Sequence, residues 1–467
     1  MNTNRSVLIV TPFFAPQSHA AVFRAYKLAK YLPRFGWIPH VLTVDTNYLH
    51  PEDSRLLDEL PPQVIIHRAR YLEPSLRGLR MALGGRDRTF AALKLAGGST
   101  AGSHEEARQP TWKDCLRDYV LRRWVQSPDA HWTWYGPAVA SAREIIRQHE
   151  IAIVMTSADP FTSHRIGYSL KKAGCTWVAD LRDPHGYCHR MHSSYDAVFL
   201  RQRRLERQAV EHADAVTVAA NAIGMILADQ YGPVVASRTH FIPTGLDEAL
   251  IPIDDCSRPR NFPYLVYGGE YLPTYGSGFL EAFRDALQHP EIRARGIKLI
   301  VIGRLDVNSA VLGNRVKNLG LEEHVEFVDQ IPQRELYRYL RHAEASVLLS
   351  APDYQWWCLY AKLVDALAMR VPVVALVPDP SEARFHLNRA GLGIFLDGGP
   401  EERAGVLADF LSGVGSKPDP IEAECDRFLA TAQVRAFADV FERVLGESPA
   451  ENGELYSRES TYEKVNR

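Results

Sequence analysis

The sequence predicts an α/β protein built from two doubly wound parallel-sheet domains that face a central cleft. Three observations carry this expectation. A strand–loop–helix opening, residues 6–16 followed by 23–32, reappears in altered form at 264–269 and the amphipathic stretch from Phe279. Short β-branched runs alternate with amphipathic stretches in both halves, the pattern of a parallel sheet. A Pro- and Asp-rich segment at 250–262 separates the halves. Ligands of such sheets bind at the carboxyl ends of the strands, where the strand order reverses. The expectation is therefore an enzyme with its site in a cleft.

Each element follows from its local pattern. Val7-Leu8-Ile9-Val10, ending in Thr11-Pro12, reads as a buried parallel strand, and apolar residues at 3–4 spacing make 23–32 a helix. Residues 37–44 and 64–67 are the next strands. From about 71 to 109 periodicity fails, and paired glycines among scattered arginines predict a mobile excursion. A helix over 138–149, a strand over 151–155, a helix from His164 and a strand over 177–184 with a charged tip follow. A basic helix over 195–212 leads into a strand at 215–218, and the half closes at 240–247. In the second half strands are expected at 265–267, 298–302, 325–327, 345–349, 373–376 and 393–395. The resulting domains are 1–250 and 263–425. A last helix is expected over about 426–447, and a polar, charged, disordered tail over 448–467.

Composition narrows the class. The chain has 467 residues, 46% hydrophobic, enough for two or three cores. Lys and Arg number 54 against 56 Asp and Glu, a formal net charge of −2, which gives no general attraction to nucleic acid. Six scattered cysteines show no CxxC or metal-ligand spacing, so a reducing compartment with free thiols is expected. No signal peptide is expected ahead of the first strand, and no apolar run approaches the ~18 residues of a span. The expected location is cytoplasmic, with the inner face of the cell membrane as the alternative. Two basic stretches, 77–108 and 201–207, are candidates for peripheral contact with an anionic surface.

Several clusters bear chemistry. In Asp180-Leu181-Arg182-Asp183-Pro184, two carboxylates flank an arginine at a strand's carboxyl end. They can orient a polyol and shift one another's pKa, or form a structural ion-pair cluster at a strand tip. His185 and His189 follow, but their spacing does not make a helical metal pair and no third ligand is evident. Gly268 and Gly269 after a strand let a backbone approach a phosphate, and Arg304 after another can pair with one. Lys362 and Asp365, at i, i+3, fall near the start of one helix; Asp365 could hold ribose hydroxyls, or the two could form a surface pair.

Together these segments resemble family-4 retaining glycosyltransferases of the GT-B fold, over nearly the whole chain. The opening 7–32 resembles the family's first strand, acceptor loop and first helix. Residues 177–184 resemble the DLRDP-bearing segment of a bacterial surface-polysaccharide branch, with His185 where that branch has tryptophan. Residues 242–247 resemble IPNGxD, and 362–373 the KLFEYLAAGKPV donor segment. The resemblance implies transfer of a sugar, with retention, from a nucleotide-diphospho-sugar bound by the second domain to a saccharide or lipid-linked acceptor bound by the first. It also implies that the last helix crosses back to the first domain. Asp365 takes the ribose-binding glutamate position, with Gly268, Gly269, Arg304 and Lys362 as further donor-binding residues. Asp183, His185 and His19 are the candidate catalytic residues. Ser18, Arg24, Asp180 and Arg182 are the candidate acceptor-binding ones. No cofactor and no metal are expected, leaving-group charge being met by backbone N–H groups and cationic side chains.

The sequence departs from that pattern at defined points. Trp357 stands where the family has the first of two glutamates, with Asp353 nearby. The acceptor loop Gln17-Ser18-His19-Ala20-Ala21 has no glycine. Glu270 and Thr274 occupy the region of a usual Arg/Lys pair, and Arg370 replaces a usual glycine. Two other functions compatible with these departures are a weakened GT-B subunit serving as a scaffold for polysaccharide assembly and a nucleotide-sugar epimerase.

Overall fold

A computed structural model describes residues 5–47, 51–75, 78, 83, 127–187, 197–252, 257–351, 355–414 and 418–446. Most of the 71–109 excursion, the basic stretch 77–108 apart from residues 78 and 83, His189, Asp353 and the 448–467 tail lie outside these residues. The chain divides into two compact units. One comprises 1–219, 223–242 and 434–455; the other comprises 220–222, 243–433 and 456–467.

The first unit carries a seven-stranded sheet: β1 (Ser6–Val10), β2 (Ile38–Val44), β3 (Ile65–Ala69), β4 (Ile153–Ala158), β5 (Thr176–Leu181), β6 (Ala215–Val218) and β7 (Thr239–Phe241). Their order is β3-β2-β1-β4-β5-β6-β7, and every pairing is parallel. The order reverses between β1 and β4. β1 is buried along its whole length, as its unbroken aliphatic run requires of a strand covered on both faces. The principal helices are α1 (Phe23–Tyr31), α2 (Tyr135–His149), α3 (Thr162–Lys171), α4 (Ala197–His212) and α5 (Asn221–Tyr231). Ala138, Ala142 and Ile145 of α2 share one core with Leu8, Leu42 and Val154 of the sheet.

The second unit has six strands: β8 (Tyr264–Gly268), β9 (Lys298–Ile302), β10 (Val325–Val328), β11 (Ala345–Leu349), β12 (Val373–Leu376) and β13 (Gly393–Phe395). The order is β10-β9-β8-β11-β12-β13, again wholly parallel, with the reversal between β8 and β11. The principal helices are α6 (Gly278–Ala286), α7 (Leu305–Asn318), α8 (Gln333–His342), α9 (Ala361–Ala368), α10 (Glu382–Ala390) and α11 (Pro400–Ser412). Two cores cover the sheet, one centred on Phe279, Phe283 and Leu299, the other on Tyr264, Tyr337 and Leu367.

The chain's end differs from the single helix expected over 426–447. A short helix, Glu422–Asp426, stops, and α12 (Ala430–Val444) begins afresh. The break has a tertiary cause. Leu246 donates its N–H to Phe428 O at 2.7 Å and accepts from Ala430 N at 2.7 Å, so residues 428–430 pair with a distant extended segment instead of continuing a helix. Residues 434–446 belong to the first unit. There Phe437 lies under the Arg24 guanidinium, and Phe441 meets Trp37 with ring centroids 5.2 Å apart.

Candidate functional site

In the second unit, the loops at the strand-order reversal hold the predicted donor residues. β8 runs into Gly268 and Gly269. Gly269 has φ 110°, a conformation that L side chains rarely adopt, and donates its N–H to Ile302 O at 2.8 Å. Gly268 carries no such demand: a Cβ there would meet only Leu336, at ordinary contact distance. Gly303, after β9, is required by close approach, since a Cβ on it would come within 2.5 Å of Gly269 O. Asn308, fully buried on α7, locks the turn. Its Nδ2 donates to Gly269 O at 3.1 Å and its Oδ1 accepts from Tyr271 N at 2.8 Å. Sequence reasoning misses Asn308, because an asparagine inside a helix carries no local signal of a distant turn.

Lys362 comes to this turn and Arg304 does not bring free charge to it. The Lys362 ammonium lies 3.9 Å from the Tyr267 ring centroid, and a Cβ on Gly269 would be 3.5 Å from Nζ. The residue as a whole is half-exposed, yet protein crowds its charged end. That desolvation pulls the pKa down to about 7, against an opposing contribution from Cys358. Arg304 instead pairs with Asp306 at 2.9 Å and Glu270 at 3.6 Å.

Asp365 is on the same helix as Lys362, one turn on, and is half-exposed. It accepts from Tyr337 Oη at 3.1 Å, and Gln333 Nε2 reaches the same hydroxyl at 2.5 Å. Burial, followed by the Asp365 charge, pushes the Tyr337 hydroxyl far up, so it stays protonated and donates to the carboxylate. Trp357 lies in the turn leading to α9. That turn is pinned by Tyr360 Oη, which donates to Ser350 Oγ at 2.7 Å and to Gln355 Oε1 at 3.0 Å. Glu382, also missed by sequence reasoning, is fully buried. It accepts from Asn221 N and Ala222 N at 2.7 and 3.0 Å and pairs with His386 at 2.9 Å.

Arg370 explains the usual glycine at its position. Its φ is 58°, the left-handed conformation that ends a helix, and glycine adopts it without strain. Here the arginine spends its side chain on Glu422 and Asp426.

In the first unit the predicted residues divide. Asp180 is fully buried and saturated. Arg24 Nη2 donates to Oδ1 at 2.7 Å and Arg24 Nε to Oδ2 at 3.0 Å, while Thr217 and Ser157 hydroxyls add bonds of 2.7 and 2.8 Å. Burial alone would raise this carboxyl; Arg24 and the hydroxyls outweigh it and hold it below its ordinary range. Arg182 is consumed by carbonyls, donating to Ala158 O, Ala21 O and Asp159 O at 2.8, 3.1 and 2.8 Å. The structural ion pair weighed for this strand tip is thus the one between Arg24 and Asp180, while Arg182 is held by main-chain carbonyls.

Asp183 faces solvent, but the protein around it desolvates its carboxyl and pushes the pKa up. Asp159 adds to the shift, while Arg182 and His185 oppose it. His185 Nε2 is 2.7 Å from Gln202 Oε1, and its ring meets Phe161 edge-on at 4.9 Å. On the loop after β1, His19 Nε2 is 3.2 Å from Gln17 Oε1 and its ring packs edge-on against Phe13 at 4.9 Å. Ser18 N donates to Pro51 O at 2.8 Å. On α4, Arg201, Arg203, Arg204 and Arg207 are exposed beside Leu200, itself 47% exposed. Arg207 pairs with Glu211, and Arg201 donates to Ser127. No helix among the described residues is long and apolar enough to cross a membrane.

Comparison with known proteins finds one family match over part of the chain and several matches of fold. Residues 275–395 match the family described as glycosyl transferases group 1. No curated protein matches the chain in sequence. Solved structures do match in fold. HepE of Anabaena, in complex with UDP, gives a TM-score of 0.59 at 15% identity, covering 94% of this chain and all of that one. A sucrose-phosphate synthase of Thermosynechococcus elongatus gives 0.57 at 15% identity, covering 95% of this chain and 100% of that one. A putative UDP-N-acetylglucosamine 2-epimerase of Listeria monocytogenes gives 0.52 at 11% identity, covering 96% and 98%. The two parallel-sheet units of this chain have the GT-B fold.

Proposed function

We propose that this chain is a retaining glycosyltransferase that binds a nucleotide-diphospho-sugar on its second unit and an acceptor on its first. The observation that carries the reading is the meeting of Lys362 with the positive-φ Gly269 turn at the strand-order reversal, with Asp365 one helical turn away. A diphosphate needs approachable backbone and a cation; a ribose needs a fixed acceptor for its hydroxyls. Lys362 fills the place left by the absent Arg/Lys pair, and Asp365, oriented by Tyr337, binds the ribose. Arg304, spent on Asp306 and Glu270, has the lesser part.

On the first unit, Asp183, His185 and His19 are the groups assigned to the acceptor. Asp183, a carboxyl whose pKa desolvation raises, is the group placed to exchange a proton with the acceptor hydroxyl. The acceptor oxygen bonds to the sugar's anomeric carbon as the nucleoside diphosphate leaves, and the leaving group's charge is met by Lys362 and backbone N–H groups. Arg24, Asp180 and Arg182 hold the wall from which these groups project. The acceptor is a saccharide or lipid-linked sugar of cell-surface polysaccharide synthesis, and α4 with its exposed arginines and Leu200 is the surface for reversible contact with anionic lipid. Each arginine near such a surface contributes about 1 kcal/mol.

Nucleoside-diphosphate release from a panel of sugar nucleotides, with and without acceptor saccharides, tests the reading. Acceptor-dependent release is expected. Turnover that needs no acceptor would identify an epimerase, and binding without turnover a scaffold subunit. Liposome sedimentation at low and high salt tests the membrane surface: binding to anionic vesicles at low salt alone is expected, and no binding would leave the α4 arginines as ordinary surface charge.

A further inference from the structure

Three histidines, none of them among the residues assigned above, converge in the first unit. His40 is on β2, His67 on the neighbouring edge strand β3, and His149 is the last residue of α2. The parallel register pairs Leu42 with His67, so His67 lies on the face of Leu42 and of His40 two residues before it. Leu42 packs in the core formed with α2, which places the end of α2 on that same face.

The geometry is that of a ligand set. His40 Nδ1 and His67 Nε2 are 3.0 Å apart. One nitrogen from each of the three rings lies within 4.8 Å of the other two. Tetrahedral zinc, with Zn–N near 2.0–2.1 Å, needs ligand nitrogens roughly 3.3 Å apart, so one pair is already at that spacing and the third ring has little to close. His40 is buried while His67 and His149 are half-exposed, which anchors one ligand in the protein and leaves the other two in reach of solvent. α2 points its carboxyl end at the cluster, and a helix carboxyl end favours a cation.

We propose that His40, His67 and His149 bind one divalent transition-metal ion, zinc by the chemistry of the donors, tying the edge strand to the end of α2. The site is separate from the donor residues and takes no part in the transfer proposed above. Histidines at 40, 67 and 149 form no sequence motif, which is why only the fold brings them together.

The test is calorimetric titration of zinc chloride into chelator-treated full-length chain, with thermal melting in parallel. One equivalent is expected to bind and to raise the melting temperature. His67→Ala and His149→Ala should each weaken binding tenfold or more and abolish the rise. His289→Ala, an exposed histidine in the second unit, should change neither. If His67→Ala fails to fold, His149→Ala, at a helix end, carries the comparison. Absence of stoichiometric binding, or equal binding by His149→Ala, would overturn the proposal.

Discussion

Two acid–base pairs, Arg24–Asp180 in the first unit and Lys362–Asp365 in the other, are alike as sequence: each sets a carboxylate and a cation near a strand tip or a helix start. The structure gives them opposite surroundings. Asp180 is sealed from solvent and receives bonds from Arg24, Ser157 and Thr217, so it has nothing left for a ligand. Lys362 and Asp365 are half-exposed, and each is held by an aromatic residue, Tyr267 or Tyr337. Residue type marks where charge accumulates. Burial and hydrogen-bond saturation decide whether that charge holds the fold or awaits a substrate.

The comparison can be broken most forcefully at Asp180. Asp180→Ala removes the buried carboxylate that the Arg24 guanidinium pairs with and should cost about 3–5 kcal/mol of stability by chemical denaturation. A loss under 1 kcal/mol would show that the pair is not structural. At the other pole, Asp365→Ala and Lys362→Met should each weaken nucleoside-diphosphate binding by about 1–3 kcal/mol, the scale of a charge-assisted hydrogen bond, with little change in stability. Calorimetry alongside denaturation reads both quantities, and a stability loss without an affinity loss would reverse the assignment.

The pH dependence sharpens the same contrast. With its folded pKa near 7 against an ordinary 10.5, Lys362 binds fewer protons folded than unfolded between these values. Its contribution to stability therefore rises with pH across that window. A bound diphosphate restores the proton, so nucleotide affinity should fall as pH climbs above 7, with proton uptake visible as a buffer-dependent enthalpy. Lys362→Met should abolish that uptake; uptake that persists would place the proton elsewhere.

The smallest effect is at Arg370. Arg370→Gly relieves left-handed backbone strain while losing partly exposed ion pairs; Arg370→Ala loses the pairs and keeps the strain. The glycine variant should be the more stable of the two by about 1 kcal/mol in thermal melting. Equal stability would mean that the position carries no strain.

Much of the fold was legible because its strands are short aliphatic runs between Gly, Pro and charged residues. β9, β11, β12 and β13 fall on the expected 298–302, 345–349, 373–376 and 393–395. Where polar residues extend a strand the reading fell short: β4 continues through Ser157 and Ala158 because they pair with Asp180 and Leu181. The break at 427–429 was invisible because its cause is Leu246, far away in sequence. The candidate site was legible as a set of residues, since charges at strand tips and helix starts stand out. Its division into structural and available groups was not, because saturation depends on partners such as Thr217 and Tyr337 that carry no motif.

The most direct test is calorimetric titration of a panel of nucleoside diphosphates into wild-type chain, Asp365→Asn and Asp180→Asn. The account predicts that a nucleotide binds the wild type, that Asp365→Asn weakens it roughly 5- to 150-fold, the equivalent of about 1–3 kcal/mol, and that Asp180→Asn, at a temperature where it remains folded, binds as wild type does. Equal affinity in wild type and Asp365→Asn, or loss of affinity confined to folded Asp180→Asn, would contradict it.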